Sequence, residues 1–207
     1  MLHSTPQLVP QTAQLRRAGL WPLLLLIPVG VLVGVLSGAL MNGFNGWLSP
    51  AYFLHFLWDG NRSWFTVFEV FFIDGTTNFG RWINVVLYGM KEGFWFGLAF
   101  STFFVFCVSI ISKFACPFRI GLHALMRCIG LLWLAWILCG LNALLLRYMV
   151  PSFLQPSIIP AWYRTNGEIW VQGAIMGFYP FSLVAVIVGC IWFSFDWRNH
   201  QRKIRRE

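Results

Sequence analysis

Residues 20–41 read LWPLLLLIPVGVLVGVLSGALM, an unbroken stretch with no Asp, Glu, Lys or Arg. A helix rises about 1.5 Å per residue, so about 20 apolar residues cross a hydrocarbon core of about 30 Å. This stretch is long enough to do so. The charge-free interval around it runs from Arg17 to Asp59, and three more such intervals follow: Glu92 to Lys113, Arg127 to Arg147, and Glu168 to Asp196. Each holds one crossing. The sequence therefore predicts an all-α integral membrane protein with four transmembrane helices near residues 20–41, 93–112, 128–146 and 169–193. The whole chain, 1–207, reads as a single membrane domain with an outer loop at 42–91 and a basic tail at 196–207.

Composition agrees with that reading. The chain is 58% hydrophobic and 11% charged, whereas a soluble domain is about 25% charged. Disorder is excluded as well, because it requires low hydrophobicity. Arg16 and Arg17 before the first apolar run resemble the start of a secretory signal. A signal core is only about 7–15 residues long, so retention as a span is the better reading.

With four spans the two chain ends share a side. Ten Lys and Arg fall on that side and five on the other, and the positive-inside rule then places both termini in the cytoplasm of an inner or plasma membrane. Arg198, Arg202, Lys203, Arg205 and Arg206 directly follow the last span. Anionic lipid headgroups attract each such residue by about 1 kcal/mol. Nucleic acid is not an expected partner, since no recognition motif or separate basic domain is present.

The outer loop opens with Asn42-Gly43-Phe44-Asn45-Gly46 and reaches Ser49-Pro50, turn chemistry expected to end the first helix. Ala51–Trp58 and Trp64–Ile73 are too short to cross and suit short interfacial helices. Ile83–Met90 is apolar and leads into Lys91-Glu92, which allows an earlier start for the second helix. Pro28 and Pro180 are expected to kink the first and fourth spans.

Small residues recur every fourth position: Gly30, Gly34 and Gly38 on the first helix, Gly89, Gly93 and Gly97 on the second, Gly173 and Gly177 on the fourth. Apolar surfaces gain little from pairing in lipid, so helices associate through close backbone approach. Packing within the molecule is the plain reading; a self-association face or a pore is the functional one. The order of motifs also repeats. Asn45 and Asn142 sit near helix ends, and Glu92 and Gln172 each open a Gly-x-x-x-Gly. Two parallel two-helix repeats would give this order, and so would chance in a Gly-rich apolar chain.

Polar residues gather near the outer face: Asn42, Asn45, Lys91, Glu92, Asn142, Arg147, Glu168 and Gln172. Ionisable groups beside hydrocarbon usually face a partner or a water-filled cavity, so these eight form a candidate site. The alternative is that they cap helices and bond headgroups. No catalytic set accompanies them. The five cysteines form no C-x-x-C pair, no histidine lies well inside a span as haem would require, and hydrolase, protease and nucleotide-binding motifs are missing. No cofactor is expected. The expectation is a non-enzymatic interaction or structural subunit, self-associated or held by other membrane subunits. A small transport or permeation component with a polar outer site is the alternative.

Overall fold

The computed structural model describes residues 21–49, 78–149, 165–204 and 206. In chain order they form α1 (Trp21–Leu24), α2 (Leu26–Leu48), α3 (Asn78–Ser112), α4 (Phe118–Met149) and α5 (Asn166–Ile204). No strand occurs among the described residues. Four candidate spans result, α1 with α2 making the first at Trp21–Leu48, and the chain is a multi-pass membrane protein. Leu32, Leu36 and Leu40 on one face of α2 are 60%, 54% and 62% exposed. Such a row of bare leucines is ordinary only where the solvent is lipid.

The helices outrun the charge-free intervals that located them. Charge limits how far a segment can sit in hydrocarbon; it does not end a helix. Two corrections follow. The helix does not stop at the Asn42–Gly46 turn residues but runs to Leu48, and α3 begins at Asn78, well before residue 93. Residues 42–48 and 78–91 are therefore helix rather than outer loop. Packing overrides the local turn signal there: Asn42, Gly43, Asn45 and Gly46 are all buried, and a Cβ on Gly46 would lie 2.8 Å from Val85 Cγ1 on α3. The interfacial segments expected at 51–58 and 64–73 lie outside the described residues.

Pro28 has no N–H to offer Leu24 and its ring crowds that carbonyl. The helix is interrupted one residue later, at Leu25, although Leu25 N–H still bonds Trp21 O at 3.1 Å. Pro180, in contrast, lies within an uninterrupted α5. At the other end of the second span, Phe114 N–H bonds Ser109 O at 3.0 Å and Lys113 N–H bonds Ile110 O at 3.3 Å. Those two bonds are a Schellman cap. Its left-handed position is held by Lys113, at φ 50°, followed by Phe114 at φ 63°.

Two antiparallel pairs make up the bundle. In the first, α2 runs against α3 so that Gly30 faces Ser101, Gly34 faces Gly93 and Gly97, Gly38 faces Gly89, and Gly46 faces Val85. A Cβ on Gly34 would come within 2.8 Å of the Gly97 Cα, so the two backbones touch. In the second, Gly173 and Gly177 of α5 meet Ala143 and Cys139 of α4, and Gly189 meets Cys128. The pairs join at both ends. At the end nearest the termini a core forms from Leu23, Leu26, Phe104, Val108, Leu125, Phe193 and Trp197. Arg127 closes that end with an ion pair to Asp196 at 2.7 Å. At the distal end Phe44, Trp136 and Trp170 stack edge to face, 5.6 Å and 6.0 Å apart along the row. Trp170 lies against Gly140, where a Cβ would meet its ring at 2.7 Å.

Candidate functional site

Between the two pairs lies a cavity of about 350 Å³. One wall is the α2–α3 pair, where the cavity borders Gly30, Gly34, Gly38, Gly93 and Gly97 with Val33, Ser37 and Met41 between them. The other wall comes from α4 and α5, through Ile129, Leu132, Trp133, Trp136, Ile175 and Phe178. Trp133 bridges the walls: its Nε1–H donates to Ser37 Oγ at 3.1 Å. Phe96 and Phe178 also meet across the gap, with ring centroids 4.8 Å apart.

Polar groups concentrate at one end of this cavity. Asn42 and Asn45 enter from α2, and Tyr88, Lys91 and Glu92 from α3. Asn42 Nδ2 donates to Glu92 Oε2 at 3.3 Å. The hydroxyl of Tyr88, one turn earlier on α3, donates to the same carboxylate. Glu92 stands 20 residues from Ser112, about 30 Å along the helix, which matches the hydrocarbon thickness of about 30 Å. The polar end thus lies about one hydrocarbon thickness from the Ser112 end of α3, and the apolar walls run from it toward that end.

Asn45 differs from its neighbours. It is 1% exposed, and neither its Nδ2 nor its Oδ1 has a hydrogen-bond partner. A buried carboxamide brings two donor hydrogens and an acceptor, and leaving them unmade is costly.

The eight polar residues singled out in the sequence divide. Asn42, Asn45, Lys91 and Glu92 line the cavity together. The other four do not line it. Asn142 is exposed on α4, and Gln172 is half-buried on α5. Arg147 occupies the last turn of α4, where a cation suits the negative end of the helix dipole. Glu168 is a helix cap. Thr165 N–H donates to Glu168 Oε2 at 2.8 Å while Glu168 N–H donates to Thr165 Oγ1 at 3.2 Å; this reciprocal pair is a capping box. Four polar groups thus belong to a site and at least two to helix ends.

Sequence reading missed the opposite wall. Trp133 and Trp136 stand three residues apart on α4 and share a face by helical geometry, but nothing in the sequence pairs that face with Ser37 or Phe44. No known protein family, curated protein or solved structure matches the chain.

Proposed function

We propose that this chain is a small, non-enzymatic membrane component that binds a small molecule in the cleft between its two helix pairs, serving as a binding or permeation unit. The cavity carries the proposal: its volume falls within the range of about 300–1,000 Å³ usual for ligand sites, and its mostly apolar lining ends at the polar group of Asn42, Tyr88, Lys91 and Glu92. The glycine rows hold each pair closely packed. On this reading both termini face the cytoplasm of a cell membrane, and the polar end of the cleft opens toward the outer boundary. The test is native mass spectrometry of the chain extracted from its own membrane. One small molecule should accompany each wild-type chain and be lost in Leu132→Trp, which fills the cavity. Bare chains in both preparations would refute the proposal.

A second reading, as a subunit of a larger membrane assembly, draws on one observation. Gly130 is exposed on α4, and a Cβ there would meet nothing within 4 Å. The other glycines of α2, α4 and α5 all pack against a neighbour. A bare glycine facing lipid suits the close approach of a partner helix. Gly130→Leu should then abolish co-purification of that partner and leave the monomer folded; an unchanged complex removes this reading.

A further inference from the structure

We infer that the cleft takes one acyl chain of a membrane phospholipid, admitted sideways from the bilayer between α3 and α5. The inference rests on the binding proposal above and names its ligand. Three features carry it.

The first is where the lining reaches the surface. Among the described residues that line the cavity, Trp95 of α3 and Tyr179 of α5 alone are exposed, at 46% and 54%. Each adjoins in sequence one member of the Phe96–Phe178 contact, so both stand at the seam between α3 and α5. Phe94 and Met176 near them are exposed too. The opening is therefore continuous with the lipid-facing surface of the spans. The seam between α2 and α4 differs. The Trp133–Ser37 hydrogen bond crosses it, and Val33, Ser37, Ile129 and Trp133 along it are all half-buried.

The second is the chemistry of the interior. Away from the polar end the walls are Phe96, Phe100, Leu132 and Phe178, and the Ser37 hydroxyl there already accepts from Trp133. A polar group on the body of a ligand would be buried without a partner, which is costly. A hydrocarbon chain leaves nothing unmet. It also comes from a medium as apolar as the walls, so no desolvation opposes its entry, and its gain is the dispersion contact that a void denies its lining.

The third is shape. The lining runs from Tyr88 to Phe100 on α3, about 18 Å of helix. Spread over that length, about 350 Å³ is a slot about 5 Å across, close to the thickness of one hydrocarbon chain, whose carbons meet their neighbours at about 4 Å. The Trp133–Ser37 and Phe96–Phe178 contacts both cross the gap. A flexible chain threads between such pillars, whereas a rigid fused-ring plate does not.

The test is photolabelling of the full chain in nanodiscs doped with a phosphatidylcholine that carries a diazirine in one acyl chain. Azicholestanol, a ring body from the bilayer, and azibutanol, a small probe from water, serve as comparisons. Adducts are assigned to residues by peptide fragmentation. Leu132 and Phe100 are 4% and 8% exposed and line the cavity, whereas Leu36 is 54% exposed on the lipid-facing side of α2 and reports bulk contact. Relative to Leu36, labelling of Leu132 and Phe100 by the phospholipid should exceed that by either comparison probe at least about tenfold. Leu132→Trp should cut the Phe100 adduct by a similar factor and leave Leu36 unchanged; Ile129→Trp fills the same slot from another position if that variant does not fold. Labelling of the two enclosed residues by azicholestanol or azibutanol that matches or exceeds the phospholipid's overturns the inference while the binding proposal stands. Adducts confined to Leu36 with every probe also overturn it, and the mass of the natively extracted chain then decides the binding proposal separately.

Discussion

An enclosed carboxamide with nothing to bond is a standing cost of about 1–3 kcal/mol per unmet group, and that cost has a consequence for stability. Asn45→Leu removes the unmet groups and keeps the branched shape of the side chain in apolar form. The ligand-free variant should therefore unfold at a higher temperature than ligand-free wild type in the same detergent; a lower midpoint would mean that Asn45 is satisfied in the free protein. Cys116 supports a prediction of a different kind. It lies in the link between α3 and α4, fully buried, and its Sγ contacts Pro117 O at 3.3 Å. Burial pushes its thiol up to about 11, against a smaller opposing effect from the Gly121 backbone. The sign is plain: a raised pKa means less thiolate at any given pH. Near neutral pH, Cys116 should alkylate more than about a hundredfold more slowly than an ordinary thiol, whose pKa is near 8.5. Iodoacetamide labelling of the folded and detergent-denatured chain, read by peptide mass, checks this.

Helices here are set by their ends and by the faces they share. Lys113 holds the left-handed place in the Schellman cap of α3 with a full side chain, at a cost of about 1–2 kcal/mol that glycine does not bear. Lys113→Gly should accordingly stabilise the chain by up to about 1 kcal/mol, seen as a shift in thermal midpoint. At the start of α5, Thr165→Ala breaks the capping box and should cost about 1 kcal/mol. That box was legible in principle, since Thr165 and Glu168 have the Ser/Thr-x-x-Glu spacing; their position beside a charge-free interval made Glu168 look like part of a site. The span count was legible because charge is costly in hydrocarbon wherever it occurs. Helix limits were not, because Asn42, Asn45 and Gly46 carry turn signals that only the presence of α3 overrides. Half of the candidate site emerged from the sequence for a related reason. Asn42 and Glu92 betray themselves by being polar at the edges of long apolar stretches, whereas Ile129, Leu132 and Phe178 look the same whether they face a cavity, a neighbour or lipid.

At the scale of the molecule, the two antiparallel pairs are close-packed within and loosely apposed between. Gly34→Leu drives a branched side chain into the Gly93 and Gly97 backbone. No rotamer relieves such a contact, so the variant should be lost from the folded, monodisperse fraction on size exclusion. Gly130→Leu, with open space around it, should elute as wild type does. The proposed orientation has its own check, for a reporter fused after Glu207 should be active only in the cytoplasm.

The link from Lys113 to Pro117 is the only described stretch of chain that carries one pair into the other. Each pair already satisfies its own backbone and buries its own small-residue seam, so neither depends on that link for its internal order. A gene divided between Phe114 and Ala115 should thus yield two polypeptides that each insert unaided and then find one another in the bilayer. Recovery of one fragment on an affinity tag carried by the other would show that the protein is assembled as a dimer of unlike halves, and the cleft would be the seam along which they were joined.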